Sequence, residues 1–271
     1  METIFNRFGS IKQFNDYLQA GKTNQGWLYE SALDTSKDKH EDCRTWNFEE
    51  ATDLMLYGDK KLLTKIENAG VYTTRLKVQK NQVRRTIYTS VVGCQPHVPN
   101  YVAGVPVAMI NEKKVKVKQK IVTVFYNMAV RGDVSASAII EACAQLISAC
   151  MIIEGNGIRV NIFAGSVSRD AGQRVGFAIK IKDSGQPFDT LKMCYPMAHP
   201  SMNRRHKFRY LEVTEGVKRG WSVGYGRRCN DDATRKVLSD NGMKVDAVFN
   251  FESIEGLNAE QIADKIIGGT K

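Results

Sequence analysis

The sequence predicts an α/β protein built on a doubly wound, mainly parallel sheet, and three neighbouring segments carry this prediction. Ile121–Tyr126 is an unbroken apolar run, which is typical of a strand covered on both faces. A segment with apolar residues at three- and four-residue spacing follows, which indicates one buried face of a helix (Ile139, Ile140, Cys143, Leu146, Ile147, Cys150 and Met151). After Gly155 and Gly157, which end the helix, a second predicted strand, Ile158–Phe163, returns to the sheet. Strand, helix and strand in this order predict a right-handed βαβ crossover with adjacent parallel strands.

The helix of this unit is expected to run from Ser135 to Glu154. A polar loop, Asn127–Asp133, precedes it. Aspartate is a favoured N-cap residue because its side chain accepts hydrogen bonds from first-turn amides. We therefore expect Asp133 to cap this helix.

Residues 1–70 are predicted to form a small helical N-terminal region. Ser10 precedes a short amphipathic segment that stops at Gly21. A second helix is expected to open at Thr45, with an interruption at Gly58. Its acidic first turns would face the positive end of the helix dipole.

Residues 71–119 are predicted to be a basic, β-rich connecting region. Val71–Val78 and Gln82–Val92 alternate as strands do. The stretch Cys94–Pro99 contains two prolines, and we expect it not to be helical.

Residues 120–271 are predicted to be the α/β core, which continues beyond the central unit. A third strand and the remaining elements are expected in this order: strand Arg174–Lys182, an interrupted helix over Phe188–Met202, helix Asp231–Asn241, strand Val245–Phe251 and a closing helix Asn258–Ile267 capped by Asn258.

The charge of the chain is uneven. The net charge is +10 over 271 residues, and residues 71–130 hold ten Lys and Arg against one Glu. The first 70 residues are acidic overall. A basic middle segment predicts a localised positive face, as polyanion-binding proteins have.

Other features of the composition point to a cytoplasmic protein. The apolar runs are shorter than the ~20 residues of a membrane span, and we expect no secretory signal because residues 1–8 contain an acid and no apolar core segment. The six cysteines contain no C-x-x-C pair, which favours reduced thiols over a disulfide frame or a zinc site.

Two stretches concentrate the positive charge. Lys113–Lys120 alternates lysine with valine, and two interpretations stay open: a lysine-rich edge strand that resists aggregation, or a ladder that binds phosphates. Arg204–Glu212 interleaves five potential cations with Phe208 and Tyr210. Gly216–Gly226 holds Trp221 and Tyr225 among glycines and is predicted to be a mobile loop.

The order of elements over residues 120–267 resembles the von Willebrand factor A-type fold. Val98–Pro106 (VPNYVAGVP) and Ala198–Arg205 (AHPSMNRR) are together similar to a family of uncharacterised bacteriophage proteins. The resemblance implies a von Willebrand A-like core in a phage-encoded protein, which would act in the cytoplasm of an infected bacterial host.

In von Willebrand A domains, a D-x-S-x-S motif at the end of the first strand holds a magnesium ion. This sequence contains the motif as Asp133, Ser135 and Ser137, but six or more residues after the predicted strand. The slot next to the strand is instead Asn127–Arg131, which offers one amide and a positive charge. We therefore expect a degenerate site without metal, and a loop that bends back is the alternative.

No catalytic constellation is visible. His40, His97, His199 and His206 lack the spacing of zinc ligands, and His199, next to Pro200, is expected to be structural. Gly220–Gly224 is not a nucleophile elbow, and the glycine-rich segments lack a phosphate-binding P-loop. We predict that the protein is not an enzyme and uses no cofactor.

Single-stranded nucleic-acid binding is the function that the basic stretches predict. Such proteins combine cations that follow phosphates with flat rings that stack on bases. The predicted contact residues are Lys113, Lys114, Lys116, Lys118, Arg204, Arg205, Lys207, Arg209, Trp221 and Tyr225. The expected role is a non-enzymatic accessory protein that binds single-stranded DNA with little sequence specificity and assists transcription or replication, with a polymerase or another phage protein as a candidate partner.

Two alternatives remain open at this point. Phe208 and Tyr210 would be core residues if the arginines around them cover a solvated face. The protein would then be a protein-binding adaptor of the von Willebrand A-like type, or a phage structural or assembly protein.

Overall fold

The computed structural model describes residues 1–24, 32–69, 84–115, 120–170, 172–218 and 227–268. The strands are β1 Glu2–Phe8, β2 Arg84–Ser90, β3 Gln95–Pro96, β4 Met109–Val115, β5 Ile121–Asn127, β6 Arg159–Asp170, β7 Gln173–Lys182, β8 Arg227–Arg228 and β9 Ala247–Asn250. The helices are α1 Ile11–Ala20, α2 Lys37–Cys43, α3 Phe48–Tyr57, α4 Lys60–Ala69, α5 Val98–Val102, α6 Ala136–Gly155, α7 Thr190–Ala198, α8 Lys207–Val213, α9 Asp231–Asp240, α10 Phe251–Ile254 and α11 Ala259–Gly268. A π-helical turn, Met202–His206, leads directly into α8.

The central sheet is mixed and mostly parallel, so the predicted α/β class is confirmed. Its strand order is β1-β7-β6-β5-β9, and β8 pairs with the end of β6. The pairs β1/β7, β5/β6 and β5/β9 are parallel, whereas β7 and β8 run antiparallel to β6. The predicted central unit is confirmed, because β5 and β6 are parallel neighbours and α6 connects them.

The two faces of this sheet carry different layers. One face, here the α6 face, packs against a large apolar cluster that includes residues of α1, α4, α6, α7, α8 and α11. The opposite face, here the α9 face, packs against a smaller cluster around Phe125, Phe163, Val167, Val237 and Leu238. The core therefore lies mainly on the α6 face.

Helix α6 is long and apolar enough to cross a membrane by length and composition, contrary to our expectation that no segment would be. Here it lies within the fold, in contact with β6 and with α4, α7 and α11. Half of its most apolar window is buried. Helix α6 carries apolar side chains on several sides because it contacts neighbouring elements on several sides.

The N-terminal region is not purely helical, which is a correction to the prediction. Glu2–Phe8 forms β1 and pairs in parallel with β7 at the edge of the central sheet. The predicted helix after Ser10 is confirmed, since the Ser10 side chain accepts from the amide of Gln13 and Gly21 ends the helix. The second predicted helix is α3, which begins at Phe48 rather than at Thr45, ends at Tyr57 just before Gly58 and is followed by α4.

Residues 84–115 include a small separate sheet with the order β2-β4-β3. β2 agrees with the predicted strand Gln82–Val92, whereas Val71–Val78 lies outside the described residues. The expectation of no helix in Cys94–Pro99 is wrong at its end, because α5 begins at Val98. Proline is tolerated in a first helical turn, where its missing N–H has no intrahelical partner.

The cap of α6 also differs from the prediction. Ser135, not Asp133, is the N-cap residue, and its Oγ accepts from the amide of Ala138 at 3.2 Å. Asp133 instead forms an exposed ion pair with Arg131 (Nε–Oδ1 3.3 Å). The later elements agree with the predictions, including Asn258, whose side chain accepts from the amide of Gln261 at the start of α11.

Candidate nucleic-acid interface

The first predicted stretch is described only in part. Lys113 and Lys114 belong to β4, where their backbones lie opposite Thr86 and Arg85 of β2, and their side chains are not described. Four further predicted residues lie outside the described residues: Lys116, Lys118, Trp221 and Tyr225. Their predicted role therefore stays a prediction.

Arg205 of the second stretch is a structural residue. Its side chain is fully buried, at 0% exposure. Its Nε donates to Thr45 Oγ1 at 2.9 Å, and its two terminal nitrogens donate to backbone carbonyls of Ala32, Asp34, Thr45 and Trp46 at 2.8–3.0 Å. All the donors of the guanidinium face protein acceptors. Arg205 thus ties residues 32–46 to the π-helical turn and has no group left for a phosphate.

Lys207 and Arg209 are also withdrawn from the surface. Lys207 is 4% exposed, and burial lowers its pKa to about 8, with the nearby charge of Arg204 acting in the same direction. Arg209 donates to Thr23 Oγ1 and to the carbonyl of Gly21, at 3.0 and 2.9 Å. These contacts fasten the segment after α1 to α8. Neither residue forms part of an exposed path.

Of the two aromatic residues in this stretch, Tyr210 is a core residue, as the alternative interpretation expected, whereas Phe208 is half-buried. Tyr210 is buried, and its hydroxyl donates to Asn6 Oδ1 and to the carbonyl of Gly176 at 2.8 Å. The ring of Phe208 lies beneath the amino group of Lys39, 4.8 Å from the ring centroid. Arg204 alone of the four predicted cations in this stretch faces a solvent-accessible cavity, which is described below.

A row of arginines crosses the α9 face of the sheet. These arginines are not among the contact residues predicted from the sequence. Arg169 of β6 lies opposite Arg174 of β7 on one side and opposite Arg227 of β8 on the other. Directly opposite residues in antiparallel strands point to the same face, with Cβ atoms roughly 5 Å apart. Arg169 and Arg227 are exposed and Arg174 is half-buried. We call these three residues the arginine row.

The register extends this surface onto β1. Thr3, Phe5 and Arg7 lie opposite Arg174, Gly176 and Ala178 on the same face. The ring of Phe5 rests over Gly176, where an added Cβ would lie 3.3 Å from Phe5 Cδ2. An added Cβ would lie closer still, at 2.7 Å, to the carbonyl oxygen of Ser166 on β6, so glycine at this position accommodates both the neighbouring strand and the ring.

A second aromatic ring is covered by cations. The guanidinium of Arg7 lies 5.2 Å from the centroid of the Phe163 ring, and the amino group of Lys180 lies 5.8 Å from it. Arginine planes held over rings in this way can also stack on nucleobases. We call the arginine row together with Phe5, Arg7 and Lys180 the basic face.

The charges of the basic face are largely uncompensated by described residues. Lys180 forms an ion pair with Asp183 (2.8 Å). Within the described ranges, Arg7 and the arginine row have no ion pair with a carboxylate. Burial raises the pKa of the neighbouring Cys229 thiol, and the positive charges of Arg174, Arg169 and Lys207 act in the opposite direction.

A signal for this face was present in the sequence. Arg169 and Arg174 flank Gly172, and a hairpin turn at this glycine would place them opposite each other. The predicted strand ended at Phe163, whereas β6 continues to Asp170. The pairing of the two arginines therefore became visible only with the full length of β6.

The D-x-S-x-S motif does not gather its oxygens for a cation. Ser135 Oγ caps α6 and lies 3.0 Å from Ser137 Oγ, while Asp133 pairs with Arg131. Among the described residues, no group of three or more His, Cys, Asp or Glu side chains has the geometry of a metal site. Asn127, in the slot next to the strand, is buried and donates to Val167 O and Thr234 Oγ1.

Fold and surface together define an α/β protein with a mixed, mostly parallel sheet and a basic sheet face. The chain belongs to the family described as Domain of unknown function (DUF7192), which matches residues 2–267. Comparison with the curated proteins gave no match, and comparison with the solved structures gave none either.

Proposed function

We propose that the protein binds single-stranded nucleic acid on the basic face, as a non-enzymatic accessory protein. The observation that carries this proposal is the arginine row, in which Arg174, Arg169 and Arg227 lie side by side on three adjacent strands. Like charges directly opposite each other destabilise a sheet. A polyanion that binds across the row removes this repulsion.

The dimensions of the row suit a nucleic-acid backbone. Adjacent strands are roughly 4.8 Å apart, so the row spans about 10 Å. A span of this size is long enough to contact neighbouring phosphates of a single strand. Arginine binds phosphate oxygens through its planar fork of donors. Phe5 and Arg7 supply flat groups beside the row for stacking of bases.

Residues predicted from the sequence complete the proposed path. Trp221 and Tyr225 precede Arg227 closely in sequence, and we propose that they stack on bases. We also retain the lysines of residues 113–118 as a second phosphate-binding segment. Arg205, Lys207 and Arg209 are left out, because their side chains contact the interior of the fold.

We propose a more specific biological role from the resemblance to von Willebrand A domains and to bacteriophage proteins. The order β5, α6, β6, β7, α7, β9 and α11 supports a von Willebrand A-like core. A phage-encoded protein in the cytoplasm of an infected bacterium, which presents single-stranded DNA to a polymerase for transcription or replication, is consistent with a non-enzymatic basic face.

Fluorescence anisotropy with a labelled oligonucleotide of mixed sequence tests the proposal. The double variant Arg169→Gln with Arg174→Gln should weaken binding uniformly across sequences. The slope of log affinity against log salt should flatten by about 0.7 for each phosphate that the variant no longer binds. Trp221→Ala or Tyr225→Ala should lower affinity and leave that slope nearly unchanged, because stacking releases no counterions.

A charge-matched control distinguishes binding at the basic face from non-specific electrostatic attraction between a basic protein and a polyanion. Lys12→Gln with Lys192→Gln removes the same charge from exposed side chains of α1 and α7, which pack on the α6 face. Equal weakening by both double variants would reject the basic face as the path. Binding of the unmodified protein no tighter than ~10⁻⁴ M at physiological salt would reject nucleic-acid binding altogether.

A second candidate function, self-assembly through the small sheet, rests on a different observation. None of residues 87–111 is buried. Nine large apolar side chains there are 38–80% exposed: Ile87, Tyr88, Val91, Val92, Val98, Tyr101, Val102, Val105 and Val107. A small sheet needs an apolar face packed against another element to be stable.

We propose a second copy of this chain as the partner of the small sheet. A stable interface takes roughly 800 Å² from each partner, and nine side chains at these exposures supply apolar area of that order. β2 is an edge strand among the described strands, so its free edge can pair with its counterpart in a second copy. This arrangement agrees with the assembly-protein alternative.

Light scattering on eluted protein over a dilution series tests self-assembly. Tyr101→Lys, at a side chain that is 74% exposed, should convert the assembly to monomers. Tyr57→Lys is a matched control on α3, at 75% exposure, and should leave the assembly intact. A monomeric unmodified protein at all concentrations would refute the proposal.

A further inference from the structure

A cavity of about 300 Å³ opens on the α6 face, at the carboxyl end of β5. Its walls come from the loop between β5 and α6, the first turn of α6, the end of α7 and the π-helical turn. β5 is the strand at which the chain order of the sheet changes direction, with β6 on one side and β9 on the other. In open α/β sheets, ligands bind in the crevice at such a switch point.

The residues that line the cavity are mainly of two kinds, apolar and positively charged. Apolar side chains supply much of the wall, among them Met128, Val130, Ile139, Met197 and Met202. Three arginines also line it: Arg44, Arg131 and Arg204. A site of this kind suits a ligand with an apolar body and an anionic group.

Arg44 and Arg204 both line the cavity and are positioned by hydrogen bonds of the residues that flank them. Ser201 Oγ donates to the carbonyl of Cys43 at 2.6 Å, just before Arg44. Arg205 Nε donates to Thr45 Oγ1 at 2.9 Å, just after Arg44. Both contacts are buried, so the two rim arginines are positioned by the interior of the fold.

The backbone at the rim is unusual at both arginines. Arg44 adopts a left-handed conformation, with φ of 62°, and is the one described non-glycine residue to do so. It is the C-cap residue of α2, a position at which helices commonly end in this conformation. Arg204 belongs to the π-helical turn, and π-helical turns occur frequently at functional sites.

Positive charge at the cavity exceeds negative charge. Arg131 is paired with Asp133, and Glu41 is the carboxylate among the lining residues. Arg44 and Arg204 have no side-chain ion pair within the described part of the chain. The Nη2 of Arg204 lies against the loop, where an added Cβ at Gly132 would be 3.2 Å away. The N-terminus of the 20-residue helix α6 adds its partial positive charge.

We propose that this cavity binds a small phosphate monoester with a flat apolar body, of the size of a nucleoside monophosphate. Arg44 and Arg204 bind the phosphate through their guanidinium forks, and the first turn of α6 faces it. The apolar wall around Met128 and Met202 receives the base. The cavity is large enough for one such molecule.

This site is separate from the basic face. The cavity lies among elements of the α6 face, whereas the arginine row projects from the α9 face. The proposal therefore does not depend on nucleic-acid binding, and each can fail without the other.

Isothermal titration calorimetry with adenosine monophosphate, adenosine and inorganic phosphate tests the site. Adenosine monophosphate should bind more tightly than either part alone. Arg204→Gln should weaken that binding roughly tenfold to a hundredfold, since a hydrogen bond to a charged group is worth about 1.5–3 kcal/mol. Lys12→Gln, at an exposed side chain of α1 outside both the cavity and the basic face, should leave it unchanged.

Ala136→Glu provides a variant that keeps the fold. Ala136 is the first residue of α6 and lines the cavity. A carboxylate in the first turn of a helix is stabilising, so folding should be retained or improved, while the added charge repels a phosphate. Loss of adenosine monophosphate binding in this variant supports the site. Binding that is unchanged in both Ala136→Glu and Arg204→Gln, or absent from the unmodified protein at millimolar concentrations, overturns it.

Discussion

Arg169 of β6 and Arg174 of β7 lie directly opposite each other, with both side chains on the α9 face of the sheet. This arrangement costs stability in the unbound protein, because opposite positions bring like charges close together. Arg169→Thr should therefore raise the free energy of unfolding by roughly 0.2–1 kcal/mol at low salt. The gain should shrink as salt screens the charges.

Urea unfolding at low and high salt measures this effect. Lys180→Thr is a useful comparison on the same face, because it removes a cation that is paired with Asp183 and should not stabilise. A loss of stability in Arg169→Thr at low salt would show that Arg169 has a favourable partner, contrary to the arrangement described.

Arg205 should be among the residues most important for stability. Arg205→Lys removes the fork that bridges Thr45 to the carbonyls of residues 32–46 and leaves buried acceptors without donors. We expect a loss of roughly 3 kcal/mol or more in the free energy of unfolding. Chemical denaturation measures it. Arg204→Lys is the matched control at the next position, and a similar loss in both variants would contradict the structural role of Arg205.

Ser135→Ala should destabilise the protein more than Asp133→Ala. Ser135 Oγ caps α6, and its loss should cost about 1 kcal/mol. Asp133 contributes an exposed ion pair, so its replacement should change stability by less than about 0.5 kcal/mol.

Calorimetry on both variants checks this order, with and without magnesium. The melting temperature of the unmodified protein should not respond to magnesium, since the motif's oxygens are not gathered. A magnesium-dependent rise that vanishes in Asp133→Ala would instead show that residues 133–137 bind the ion.

Stability should fall as the solution becomes acidic. Burial lowers the pKa of His206 to about 3 and that of His199 to about 4, from the ordinary value near 6.5. The unfolded chain therefore takes up protons at these histidines first as pH falls. The contribution of these neutral histidines to the free energy of unfolding is fully present above about pH 6.5. It is lost progressively as the pH falls towards 4 and 3.

Urea unfolding at about pH 7.5 and about pH 5 tests this dependence. His206→Gln retains hydrogen-bonding atoms beside Tyr195 but cannot titrate, so it should flatten the pH dependence. Equal stability of the unmodified protein at the two pH values would count against neutral buried histidines.

The central βαβ unit could be predicted because the burial of a strand or helix determines how apolar residues are spaced along the sequence. β5 is covered on two faces, which requires a continuous apolar run, and α6 requires apolar residues at helical intervals. Capping residues such as Ser10 and Asn258 were also predictable, since a cap contacts amides only a few residues away.

The edge strand and the basic face could not be predicted in this way. β1 joins the sheet through backbone pairing with β7, about 170 residues distant, and its residues show no clear alternation of burial. The arginine row depends on the register of three strands, and a shift of one residue would turn each of its side chains to the other face.

Arg204 and Arg205 are neighbours with opposite roles, and they illustrate the difference between what the local sequence predicts and what the tertiary structure decides. The sequence by itself determined that Arg204–Tyr210 is a basic segment with interleaved aromatic residues, because residue types are local properties, whereas its helical structure was not predicted. Only the tertiary structure decided that Arg205 is enclosed by carbonyls of residues 32–46 while Arg204 lines a cavity. The reason is physical: a guanidinium is buried only where distant backbone supplies acceptors for its donors, and the packing of the fold determines where those acceptors lie.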